Sequence, residues 1–323
     1  MEVARRAAFR REGNGYVGGV GRAGMELGSA VRGVTPPLVT PFDGPDGETV
    51  DHDALANVVT HAVEGGVAGL FPNGTTGEFA SLTAAERAAV VETTVANAGG
   101  RPVLAGVADT AIPDVLAHTD RAADAGADAV VVTPPYFHAE SGEGGNRRFL
   151  ERIADDATLP VFVYDIPSCT GNPLSPETVV ALADHSNVVG MKDSSGDFAG
   201  FCRLLRETPE EFVLLQGFDA LLLPSLRMGA TGGVHALSNV VPSAFAELSR
   251  LARTSEGESS AARAEELHEG IGALFDACLE YGFAPATKTA LCERDVIESA
   301  RVRPPLKAAE PDAIAAPLVG LLD

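Results

Sequence analysis

Lys192 is one of three lysines in the chain, with Lys288 and Lys307. It closes an apolar run, Val188-Val189-Gly190-Met191, that reads as a buried strand. An amine facing a partly dry interior is held less readily as ammonium. The neutral amine can attack a ketone, and the resulting iminium is an electron sink for making or breaking the adjacent C–C bond. An ion pair with Asp193 is the competing use of the same side chain.

Other strand ends carry further candidates. Tyr164 ends the run Pro160–Ile166, where its phenol could relay a proton or simply bond a carbonyl. Gly74-Thr75-Thr76-Gly77 offers backbone N–H groups and two hydroxyls in a tight turn that can hold a carboxylate. The alternative is a plain loop whose threonines bond their own backbone. Glu78 reads as a local hydrogen-bonding residue, and His235 as a core or rim histidine. There is no HExxH, GxGxxG or GxxxxGK[ST], so neither a metal nor a nucleotide cofactor is expected.

The elements that must position these residues recur along the chain. Eight β-type runs are expected: Gly33–Thr40, Val67–Asn73, Pro102–Val107, Ala129–Thr133, Pro160–Ile166, Val188–Lys192, Phe212–Gly217 and Gly232–Ala236. Each is apolar nearly throughout, as strands covered on both faces should be. Helical stretches intervene. Thr83 and Glu86 form a capping-box pattern opening Ala84–Ala98, and Ser175-Pro176-Glu177 precedes a helix over Thr178–Ala183. Pro113–Ala125 and Ala220–Met228 read likewise, with Gly99, Gly126 and Gly229 as stops. The expected fold is α/β, a (β/α)8 TIM barrel over residues 31–241. Residues 242–323 should be C-terminal helices forming an extension. Residues 1–30, Arg- and Gly-rich near the start, read as a disordered or mis-assigned N-terminal extension, with Met25 a candidate start.

A formal net charge of −21 argues against nucleic acid and anionic membrane surfaces as partners. Many carboxylates and few lysines fit a surface tuned for high salt, as in a halophilic archaeon. Cys169, Cys202, Cys278 and Cys292 make no CxxC pair and read as reduced, implying a cytoplasmic protein. No apolar stretch reaches the length of a membrane span.

Taken together, Thr40-Pro41-Phe42, Gly74-Thr75-Thr76-Gly77-Glu78, Pro134-Pro135-Tyr136, Tyr164 with Pro167 and Thr170-Gly171, and Val189–Asp197 around Lys192 resemble the dihydrodipicolinate synthase/N-acetylneuraminate lyase family. The likeness spans about Val31 to Asn239. It implies a pyruvate Schiff base on Lys192, with Tyr164 shuttling protons. Thr75 and Thr76 would hold the carboxylate of the 2-oxo acid and pass protons on, with Gly74 and Tyr136 also lining the substrate. The Val234 backbone would face pyruvate. No cofactor is implied, and members are commonly homotetramers.

Two departures bear on the substrate. Synthases of the family usually carry a second tyrosine where this chain has Phe137. They also carry an arginine for the second substrate's carboxylate where this chain has Cys169, and a thiol cannot make that bidentate contact. The resemblance is then closest to aldolases that cleave 2-dehydro-3-deoxy-gluconate or its 6-phosphate to pyruvate and glyceraldehyde or its 3-phosphate. His138, Arg147 and Arg148 could form a phosphate rim or a solvated helix start. The alternatives are 4-hydroxy-tetrahydrodipicolinate synthase, a related 2-oxo sugar acid dehydratase and, more remotely, a non-catalytic ligand-binding barrel.

Overall fold

The computed structural model describes residues 26–138, 142–254, 257–311 and 314. The expectations for residues 1–24 and for the last stretch of the C-terminal segment lie outside the described residues. Residues 26–30 are helical, and Leu27 packs against the innermost buried cluster.

A short antiparallel hairpin, β1 (Phe42–Asp43) and β2 (Thr49–Val50), leads into helix α1 (His52–Glu64). Then α2 (Ala84–Asn97), β3 (Leu104–Gly106), α3 (Ile112–Ala125), β4 (Ala129–Val132), α4 (Gly142–Asp156) and β5 (Val161–Asp165) alternate. The single-turn α5 (Pro167–Thr170) and α6 (Pro176–Ala183) precede β6 (Val188–Asp193). After it come α7 (Phe198–Glu207), β7 (Val213–Gln216), α8 (Leu222–Arg227) and β8 (Gly232–Gly233). Strands β3 to β8 form one parallel sheet in sequence order. Parallel neighbours need a crossover, and each helix between them supplies it.

The first two expected strands differ from expectation. Gly33–Thr40 and Val67–Asn73 form only isolated parallel bridges: Val34 to Gly233, Pro37 to Phe71, and Leu70 to Val103. Proline is the reason, since Pro36, Pro37 and Pro72 have no N–H to give a ladder. Their neighbours still bond. Thr35 N donates to Gly233 O at 2.8 Å, Phe71 N to Pro36 O at 3.0 Å, and Leu104 N to Leu70 O at 2.8 Å. A hydrogen-bonded circuit therefore runs from β8 through these segments to β3 and closes a ring.

Inside the ring, Val31, Phe71, Leu104, Val131, Phe162 and Leu215 are part of one buried cluster. The outer strand faces pack on the helices in two larger clusters. The cap signals act as read. Thr83 and Glu86 bond reciprocally across the start of α2, and Ser175 accepts from Thr178 N at the start of α6. The stretch expected as one helix over Ala220–Met228 is a 3-10 turn, Asp219–Leu221, followed by α8. Beyond β8, α9 (Pro242–Leu251), α10 (Gly257–Tyr281) and α11 (Phe283–Glu293) form the expected C-terminal helices. Ile271, Leu274 and Phe275 of α10 join Leu222, Leu226 and Leu248 in the largest cluster.

Gly190 is required by packing. A Cβ there would lie 2.5 Å from Val213 O and 2.6 Å from Phe162 Cε1. Phe162 fills the space its neighbour leaves, so interior volume and glycine are matched. Gly190→Ala should lower unfolding stability by on the order of 3 kcal/mol. Urea denaturation checks this; a midpoint like that of the unaltered chain would contradict the packing argument.

Candidate active site

The register of β5 on β6 sets the site. Tyr164 lies opposite Lys192, and Asp165 opposite Asp193. Side chains alternate between faces along a strand, so each pair shares a face. Lys192 and Tyr164 turn into the ring, where they are 5% and 4% exposed. Lys192 Nζ sits 3.9 Å from the centroid of the Tyr164 ring and 5.2 Å from that of Phe71. Phe71 and Tyr164 meet edge to face at 6.4 Å.

The expected competitor, an ion pair between Lys192 and Asp193, is not formed. Asp193 turns to the outer face and accepts from Ser195 N at 2.8 Å. Among the described residues no carboxylate lies within 4 Å of Lys192 Nζ, and the amine makes no hydrogen bond. Two aromatic faces are its neighbours instead. Gly217 gives the side chain room, since a Cβ there would lie 3.0 Å from Lys192 Cε.

The Gly74–Gly77 turn is joined to this group through Phe71. A Cβ on Gly74 would lie 3.1 Å from Phe71 Cε1, so the turn rests on the ring that neighbours the lysine. Gly77 N donates to Gly74 O at 3.0 Å and Glu78 N to Thr75 O at 3.1 Å, which closes the turn. Thr40 Oγ1 donates to Gly77 O at 2.7 Å and ties it to the first segment of the ring. The hydroxyls of Thr75 and Thr76 bond no described residue, so both are free for a ligand. The self-bonded loop that the sequence left open is therefore not what forms.

Glu78 has φ 55° and is fully buried against Lys288 of α11. Its other oxygen accepts from Arg303 N at 3.0 Å. Burial pulls the Lys288 ammonium down to about 8, with Glu78 opposing the shift. The local role expected of Glu78 is thus a long-range one, across 210 residues.

The remaining candidates divide. Val234 is buried in the innermost cluster and its N–H donates to Gln216 O at 2.8 Å. Tyr136 lies beside the Arg87 guanidinium and packs edge to face on Phe79 at 6.4 Å. Burial first, then the charge of Asp109, raises the Tyr136 phenol. Phe137 is 93% exposed, at φ 73°. Cys169 is an exposed free thiol on α5. Arg147 pairs with Glu151 one turn along α4 at 2.6 Å, which is the solvated-helix alternative for that stretch. His235 is buried beside Asp219 at 3.3 Å and stacks on Phe245, away from any rim.

Two groups were missed in the sequence. Thr133 stands one residue beyond the Val132 to Val163 pair, level with Tyr164, and its hydroxyl is buried without a partner. Its place at a strand end was the available signal. Asp165 and Asp193 form a buried outward pair, detectable only once the register is known.

Burial, and then the charge of Asp193, push Asp165 up to about 7, against the Leu174 N–H that favours its ionised form. Burial also raises Asp193, opposed by Ser195. No helix among the described residues is long and apolar enough to cross a membrane.

A ring of parallel strands thus carries a shielded, carboxylate-free lysine at its strand ends, and comparison with known proteins places the chain among lyases of the aldolase type. The model of the dihydrodipicolinate synthetase family matches residues 30–316, and the chain belongs to that family. A 4-hydroxy-tetrahydrodipicolinate synthase of Methanopyrus kandleri is 36% identical over 288 residues, covering 88% of this chain and 94% of that one. An uncharacterized DapA-like lyase of Halobacterium salinarum is 40% identical over 245 residues, covering 76% and 79%. The chloride-inhibited dihydrodipicolinate synthase of Acinetobacter baumannii, crystallised with pyruvate, superposes with a TM-score of 0.83 at 27% identity, over 90% of this chain and 98% of that one.

The Asp165 shift has a definite pH consequence. Its unfolded carboxyl titrates near 3.8, below the native value. Between roughly pH 4 and 7 the native chain holds a proton that the unfolded chain has lost, so stability falls as pH rises across that window. Three units correspond to on the order of 4 kcal/mol. Asp165→Asn keeps the acceptor for Leu174 N and removes the charge. It should flatten that slope and make the chain more stable than its parent at pH 8. Denaturation at a series of pH values checks this, and an unchanged slope would refute the assignment.

Proposed function

We propose that Lys192 forms a Schiff base with pyruvate and that the derived enamine makes or breaks a C–C bond. One observation carries this reading: a lysine buried in the ring over the Tyr164 face with no carboxylate beside it. The neutral amine attacks the ketone carbon, water leaves, and an iminium forms. Loss of a C3 proton gives the enamine, which adds to an aldehyde; cleavage runs the same steps backwards. Tyr164 would carry the protons. Thr75 and Thr76, with unbonded hydroxyls, would hold the carboxylate, and Gly74 and the Val234 backbone would border it. On this reading the closed ring is a (β/α)8 barrel with its site at the strand C-termini.

The names of the relatives favour 4-hydroxy-tetrahydrodipicolinate synthase, so aspartate semialdehyde is the leading aldehyde partner. This displaces the sugar-acid cleavage expected from the sequence as the first reading. One observation still favours that second reading. Cys169 presents a thiol, not a guanidinium, on the short helix after β5.

Incubation with pyruvate and borohydride should add a stable mass to the peptide containing Lys192, and Lys192→Ala should abolish it. Absence of the adduct in the unaltered chain would overturn the Schiff-base reading. Tyr164→Phe should keep the adduct and lower kcat by about 10²–10⁴-fold. Parallel assays in high salt with pyruvate plus aspartate semialdehyde, and with 2-dehydro-3-deoxygluconate and its 6-phosphate, decide between the two readings. Turnover of the semialdehyde alone supports the first.

A further inference from the structure

A cavity among the described residues does not open on Lys192. It lies on the opposite face of the same two strands, between them and α4, α6 and α7. Its volume is 370 Å³. Asp165, Asp193 and Asn146 line it, as do Leu174, Met191, Phe201 and Leu204. Glu143 and Asp197, both exposed, contribute to the wall as well.

The carboxylates in this cavity play no part in the Schiff-base chemistry, and both are costly to bury. Asp165 is 3% exposed and Asp193 4%. They are cross-strand partners, so their side chains stand about 5 Å apart at the backbone. Among the described residues no Lys, Arg or His lies within 4 Å of either. Asp193 is held by Ser195. Asp165 has one oxygen on Leu174 N at 3.2 Å, while its other oxygen accepts from no described residue and faces the cavity. Two largely buried carboxyl groups on one cavity wall, with no basic side chain beside them, make that wall a place for a cation.

The kind of cation follows from the walls. No three metal-ligating side chains converge among the described residues. The space is far larger than one ion, and four apolar side chains share it with the carboxylates. We propose that this cavity binds a small organic cation, a primary ammonium on a short alkyl chain. The ammonium donates to Asp165 and Asp193, and the chain lies against Leu174, Met191, Phe201 and Leu204. Glu143 and Asp197 draw cations towards it. The occupant sits directly behind Tyr164 and Lys192, on the strands that carry them.

Isothermal titration at pH 8 with n-butylammonium chloride tests this. The full chain should bind one equivalent saturably, with Kd on the order of a millimolar. Asp165→Asn and Asp193→Asn should each weaken binding at least tenfold, with circular dichroism showing which variants are folded; either folded variant suffices. Tetramethylammonium, with the same charge and no N–H, should not bind at equal ionic strength. No saturable binding to the unaltered chain would overturn the proposal, because the two carboxyl groups would then only share a proton. Binding that survives in a folded variant, or equal binding of tetramethylammonium, would overturn it too.

Discussion

One irregularity in the β5–β6 ladder decides which way the chemistry faces. Val161 pairs with Val188, but Phe162 pairs with Gly190, so β6 carries one extra residue at Val189. With an even ladder, Tyr164 would stand opposite Met191 and Asp165 opposite Lys192. The bulge shifts the whole end of β6 by one place. Because side chains alternate with period two, that shift turns Lys192 inward and Asp193 outward. A missing bulge would place the amine among the outer carboxylates, where an ion pair forms readily.

Small residues make the inward choice possible. Gly190 yields space to Phe162, Gly217 yields space to the Lys192 stem, and Gly106 lets β3 approach Asn73, where a Cβ would lie 2.0 Å from Asn73 O. The aromatic faces of Tyr164 and Phe71 then occupy positions where a carboxylate would otherwise quench the amine. With rings as neighbours and no carboxylate, the Lys192 amine is not tied up in an ion pair.

Much of this was legible in the sequence because it is local. The strand ends that carry Lys192 and Tyr164, the capping box at Thr83 and Glu86, and the proline start of α6 each depend on residues a few positions apart. The broken first two strands were also written locally, in Pro36, Pro37 and Pro72, but apolar composition outweighed them in the reading. What could not be read is set by distance along the chain or by register. Tyr136 belongs with Arg87 and Phe79 because the loop after β4 meets helix α2 and the turn just before it. The Asp165 and Asp193 pair depends on the Val189 bulge, which no local pattern announces.

Glu78 shows how the C-terminal helices and the site depend on each other. It follows the Gly74–Gly77 turn directly, and its left-handed backbone would be strained without an anchor. Lys288 and the Arg303 N–H provide one from the far end of the chain, and Arg303 also reaches Glu86 and the carbonyl of Ser81. Thr75 and Thr76 therefore keep free hydroxyls because the turn need not use them to hold its own shape. The extension beyond β8 does more than cover the ring. It fixes the backbone of the Gly74–Gly77 turn, so a defect in packing of α11 should be felt at that turn before the strands themselves give way.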